Sequence, residues 1–94
     1  MRIHGLGILD DFIHHHAEAR EQVKAWLSEV EGAEWKGPQD IKERYSTASF
    51  LSNNRVVFNI KGNKYRIAVQ LSYKHQIVLI LMGGTHAEYD RWKL

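Results

Sequence analysis

The chain has 94 residues, 44% of them hydrophobic and 26% charged, and a formal net charge of +2. That length supports one hydrophobic core, so residues 1–94 read as a single domain. Cysteine is absent, which excludes disulfides, thiolate metal sites and cysteine nucleophiles. No apolar run approaches the roughly eighteen residues that span a bilayer, and the N-terminus lacks a signal-peptide pattern, so the expected location is cytoplasmic.

Met1 to Ile3 has the make-up of a short edge strand, ended by Gly5 and Gly7. Leu9, Phe12, Ile13 and Ala17 then fall at helical spacing, and Ala19, Val23, Trp26, Leu27 and Val30 continue it. The spacing predicts two helices, or one bent helix, over roughly Ile8 to Glu31, with Gly32 as the stop. Lys36-Gly37-Pro38 reads as a loop leading into a short helix over Gln39 to Tyr45, because proline is tolerated at a helix's first position. From Phe50 the period changes to that of strands. Val56, Phe58 and Ile60 alternate with Arg55, Val57, Asn59 and Lys61, while Tyr65, Ile67, Val69 and Leu71 alternate with Lys64, Arg66, Ala68 and Gln70. Gly62-Asn63 between them is a two-residue hairpin signal, since both residues tolerate positive φ. Ser72 to His75 forms the next turn, and Gln76 to Met82, apolar on both faces, reads as a strand in the middle of a covered sheet. Gly83-Gly84 is expected to break that strand, and Thr85 to cap a final short helix with Glu88 at the capping-box spacing.

Charge divides unevenly between these halves. Met1 to Ser49 carries six Lys/Arg against nine Asp/Glu, and Phe50 to Leu94 seven against two. No acidic residue occurs between Arg44 and Glu88, where Arg55, Lys61, Lys64, Arg66 and Lys74 all lie. Such a basic half suggests a polyanionic ligand; a merely solvated basic surface is the plainer alternative.

Geometry sharpens the first of these. A two-residue turn at Gly62-Asn63 places Lys61 opposite Lys64, Asn59 opposite Arg66, Val57 opposite Ala68 and Arg55 opposite Gln70, all on one face. The other face pairs Ile60 with Tyr65, Phe58 with Ile67 and Val56 with Val69 as a core surface against the helices. Like charges directly opposite are destabilising, a cost tolerated where an anion sits between them. Ala68 would leave that face concave, and Asn59 and Arg66 can donate to phosphate oxygens. A wet sheet face decorated with lysines for solubility is the alternative.

Among short motifs, His14-His15-His16 invites a metal reading, but neighbouring helical residues point about 100° apart and cannot converge on one ion. Solvent-facing histidines, with no metal, are expected. Neither glycine pair fits a phosphate loop, and no serine-nucleophile signature is present. Thr85 to Asp90 is more informative. On a helix starting near Thr85, His86, Tyr89 and Asp90 share one face. Histidine is the natural proton-transfer group near neutral pH, a carboxylate four residues on can fix its tautomer, and a tyrosine beside them can stack on a base or pass a proton. A polar terminal helix is the alternative.

Taken together, Arg55-Val-Val-Phe-Asn-Ile60, Gly62-Asn-Lys-Tyr-Arg-Ile67 and Gly84-Thr-His-Ala-Glu-Tyr-Asp90, with Trp35-Lys36, Pro38 and Ile41 upstream, resemble the HigB toxins of the RelE-like superfamily over about Leu9 to Asp90. The resemblance implies an α+β fold, with N-terminal helices packed on one face of a small twisted, mostly antiparallel sheet and a short C-terminal helix. It also implies cleavage of messenger RNA on the translating ribosome by metal-independent attack of the 2′-hydroxyl on the adjacent phosphate, without a cofactor. The implied partner besides RNA is a helix-turn-helix antitoxin of the HigA kind. Carried over, Arg66 holds the scissile phosphate, His86 or Asp90 carries the proton, and Tyr89 stacks or relays. Lys61 and Lys64 clamp the backbone; to these the hairpin face and the basic stretch, read from the residues themselves, add Arg55, Asn59 and Lys74 as expected RNA contacts.

One departure stands out. Members of this family commonly carry arginine where this chain has Leu81, and alternation from Ile80 and Met82 as core residues puts Leu81 on the side of Arg66. A catalytically weakened member that keeps RNA or antitoxin binding is therefore the second expectation, and a plain interaction domain the third.

Overall fold

In a computed structural model describing all 94 residues, the chain runs β1 (Arg2–His4), α1 (Leu6–His15), a 3₁₀ turn (Ala17–Ala19), α2 (Arg20–Gly32), α3 (Pro38–Arg44), β2 (Ser49–Leu51), β3 (Arg55–Ile60), β4 (Tyr65–Ser72), β5 (Ile77–Thr85) and α4 (His86–Tyr89). The strands form one sheet in the order β1-β5-β4-β3-β2, with β1 parallel to β5 and the remaining pairs antiparallel. Helices followed by a mostly antiparallel sheet make this the expected α+β class. No helix is long and apolar enough to cross a membrane.

The helices cover one sheet face. Leu9 and Phe12 of α1, Val23, Trp26 and Val30 of α2 and Ile41 of α3 join Val56, Phe58, Ile60, Tyr65, Ile67, Val69, Leu71, Val78 and Ile80 in one buried cluster. Phe58 stands at its aromatic centre, edge-on to Trp26 and Tyr45 and stacked with Trp35. The predicted bend between the first helices is real: α1 ends at His15, and the 3₁₀ turn redirects the chain before α2. Gly5 makes the entry to α1 possible, with φ of 89° and an ideal Cβ only 2.8 Å from the Ile80 carbonyl oxygen.

The β3–β4 register is the expected one, with Asn59 opposite Arg66, Val57 opposite Ala68 and Arg55 opposite Gln70. Pairing stops at Ile60 and Tyr65, however. The turn does close with an Lys64 N–H to Lys61 carbonyl hydrogen bond, but positive φ falls on Lys61 (55°) and Gly62 (69°). Lys61 thus leaves the strand conformation, and its ammonium reaches back to the Glu18 carbonyl at 3.4 Å. The expected Lys61–Lys64 cross-strand pair does not form.

β5 differs from expectation in three respects. It continues through Gly83 and Gly84 to Thr85. An added Cβ at Gly83 would lie 3.2 Å from the Phe12 ring, and one at Gly84 3.1 Å from Glu88 and from Trp92, so these glycines admit close neighbours and do not end the strand. Second, the outer face is not covered along its whole length, since Leu79 is 41% exposed. Third, the ladder skips one residue: Val69 pairs with Ile80 and Ala68 with Met82. Leu81 is the extra residue of a β-bulge. Met82, expected in the helix-side core, instead stands opposite Ala68 on the other face, and neither Leu81 nor Met82 packs against the helix-side cluster. The bulge falls between the Ala68 and Val69 rows, so along the ladder Leu81 lies nearer Ala68 than Arg66.

Candidate RNA-binding and proton-transfer site

The site grows from the end of the sheet where the β3–β4 turn meets α4. The capping box at α4 is complete: the Thr85 hydroxyl accepts from Glu88 N–H at 3.1 Å, and the Glu88 carboxylate accepts from Thr85 N–H at 2.9 Å. That amide, followed by burial acting in the opposite sense, the Thr85 hydroxyl and then the charges of His16 and Arg91, holds the Glu88 carboxyl below its ordinary range. His86 N–H donates to the Lys64 carbonyl at 3.2 Å, tying the first residue of α4 to the hairpin turn.

On α4, His86 Nδ1 lies 3.7 Å from Asp90 Oδ2, and the His86 and Tyr89 rings meet edge-on at 6.4 Å. The Arg66 guanidinium lies over the Tyr89 ring at 5.4 Å and donates to the Asn63 carbonyl at 3.2 Å. A guanidinium held over a ring in this way can offer its remaining N–H groups to an oxyanion, next to an imidazole–carboxylate pair. Arg66, His86, Tyr89 and Asp90 are therefore brought together, with Lys64 exposed at the same turn.

The remaining predicted contacts divide. Asn59 is opposite Arg66, but its amide donates to the Thr47 carbonyl at 3.2 Å. Lys61 is at the right end of the sheet but points toward the helices. Arg55, at the other end of β3, donates to the Leu94 carbonyl at 2.6 Å. Lys74 sits in the β4–β5 turn beside Glu34 and Lys36, a full β4 length from Arg66, which at strand rise is about 20 Å or more.

A family model for the RelE-like toxic component of a toxin–antitoxin system, the HigB toxin, matches residues 19–92. The chain belongs to the HigB toxin family. A search of curated proteins finds no match. As the toxic component of such a system, a HigB-family chain has an antitoxin as partner, and RelE-like toxins are generally endoribonucleases.

Two features around this candidate site of the HigB-family chain escape the sequence reading. Trp92, one helical turn past Tyr89, meets its ring edge-on at 5.6 Å and closes over Gly84. From there the last residues reach across to Arg55, and the outer-face residues between, Val57 and Ala68, are each only 1% exposed. The concavity expected over Ala68 is thus filled. The spacing of Trp92 from Tyr89 carried that signal. His16 is the other feature. His14 and His15 are exposed as expected, but His16 packs on Phe12 and Tyr65 at ring distances of 5.2 Å and 5.1 Å. No group of three or more His, Asp and Glu side chains is arranged to hold a common metal ion.

Proposed function

We propose that this toxin is a ribosome-dependent endoribonuclease that cleaves messenger RNA at the α4 end of its sheet. The stack of Arg66 on Tyr89, beside the His86–Asp90 pair, carries the reading. The 2′-oxygen bonds to the adjacent phosphorus, its proton passes to His86 or Asp90, and the bond from phosphorus to the 5′-oxygen breaks. A proton delivered to that oxygen leaves a 5′-hydroxyl and a 2′,3′-cyclic phosphate. Arg66 stabilises the charge that builds on the phosphate, Tyr89 supports it and stacks on a base, and Lys64 steers the backbone. Donors aimed at such developing charge are worth about 2.7–4 kcal/mol each. An antitoxin of the HigA kind restrains the activity.

Arg66→Ala is expected to abolish growth arrest and lower RNA cleavage by about 10²–10³-fold while the fold persists, read as cleavage of translated message with and without ribosomes. Unchanged toxicity in a folded variant would remove Arg66 from the site.

A second reading, a weakened nuclease that retains RNA or antitoxin binding, is favoured by Leu81 standing in the bulge where the family commonly has a cation. A marked gain of cleavage in Leu81→Arg supports it, and robust cleavage by the wild-type chain rejects it.

A further inference from the structure

His16 lies where the corner after α1 meets the cap of α4. Its Nδ1 is 3.8 Å from Glu18 Oε1 and its Nε2 is 3.9 Å from Glu88 Oε1, so one imidazole faces two carboxylates from different elements. The side chain is only 26% exposed, with the Phe12 and Tyr65 rings against it. Both carboxylates are committed further on. Glu18 accepts the Tyr65 hydroxyl, and Tyr65 is the strand partner of Thr85; Glu88 accepts the Thr85 amide. His16 therefore touches the helix cap by two routes that converge on Thr85, immediately before His86.

We propose that His16 is a positioning residue for this site: its imidazole couples the α1 corner to the capping box of α4 and so holds His86, Tyr89 and Asp90 in place over Arg66. The coupling is electrostatic, with both carboxylates facing the imidazole across a partly desolvated gap. The groups facing His16 are Glu18, Glu88 and, through Glu18, the Tyr65 hydroxyl. Asp11 and His15 lie across a cleft of about 260 Å³, and Arg91 acts on Glu88 from its other side. The pull of His16 on Glu88 contributes to keeping that carboxyl ionised. The catalytic consequence rests on the reading of α4 as the proton-transfer element; the coupling itself does not.

The test measures amide-exchange protection of Thr85 to Tyr89 in the whole chain at fixed pH. His16→Phe keeps the ring packing and is expected to lower that protection several-fold. Glu88→Gln, at a side chain 55% exposed, is expected to lower it without touching the core, and the two changes combined are expected to cost less than the sum of the single changes. Unchanged protection in His16→Phe, or fully additive effects in the double variant, would overturn the proposal. If His16→Phe does not fold, His16→Gln takes its place in the same comparison. In a cleavage assay His16→Phe is expected to lower kcat with little change in KM. A chain that cleaves no RNA would overturn the proposed activity while the exchange data still decide the role of His16.

Discussion

Glu88 and Tyr45 show at single residues how much local order depends on a few polar contacts. Glu88 has its folded-state proton affinity lowered, chiefly by the Thr85 amide, so protons bind the unfolded chain more readily. Its contribution is complete above the ordinary carboxylate range, about pH 4.3, and is lost as pH falls through the lowered folded value. Exchange at the α4 amides is expected to accelerate on acidification below that range, and Glu88→Gln to remove that acid-dependent step. Thr85→Ala, which deletes the other half of the capping box, is expected to cost about 1 kcal/mol of local stability, seen as faster exchange at Glu88. Tyr45 donates to Glu29 Oε2 at 2.6 Å, tying the residue after α3 to α2. Burial and then that hydrogen bond push the phenol well above its usual range, and the same bond is the main influence lowering Glu29. Tyr45→Phe is expected to cost about 1 kcal/mol, read from the urea midpoint, and to return Glu29 toward an ordinary carboxylate.

At the level of elements, β1 and α1 are held by a backbone contact that tolerates no side chain at Gly5. Gly5→Ala combines positive φ with a clash against the Ile80 carbonyl and is expected to destabilise by about 2 kcal/mol or more, against little effect at Gly7, where a Cβ meets nothing within 4 Å; paired urea titrations check this. The elements legible in the sequence are those whose signal is local. The Gly62-Asn63 turn pins the register through Asn59 and Arg66, and Thr85 with Glu88 marks the cap, because each depends on residues a few positions apart. β2 was not legible as a separate strand: it has three exposed residues, and only its pairing with β3 makes it a strand. Gly83 and Gly84 read as breakers because nothing local announces Phe12, Glu88 and Trp92 pressing on them. Lys61 read as a strand residue because alternation is blind to its positive φ.

Across the whole molecule, one sheet face serves the helices, and the other is crossed by the C-terminal residues between Gly84 and Arg55. Of the cations in the basic half, Lys64 and Arg66 at the turn end are the ones that lie beside α4, whereas Arg55 is turned to the Leu94 carbonyl and Lys74 is exposed at the far end of the sheet. RNA affinity is accordingly expected to be insensitive to Arg55→Ala and Lys74→Ala. Lys64→Ala should weaken binding and reduce the slope of log affinity against log salt by about 0.7, measured by filter binding on single-stranded RNA. Equal losses at all three positions would mean that the whole outer face binds. The bulge in β5 bears on the same division. Ile77 to Ile80 lock β1 and the core, while Met82 to Thr85 lead into α4 and the candidate site, and the ladder rows on either side of Leu81 are consecutive on β4. Leu81 thus behaves as a one-residue insertion that breaks the even–odd parity of the strand without costing either half its partners. A chain with Leu81 deleted is expected to keep both ladders and a dispersed amide spectrum. With the added bend and twist gone, α4 would be re-aimed and Tyr89 drawn away from Arg66, so that folding and activity part company at a single position.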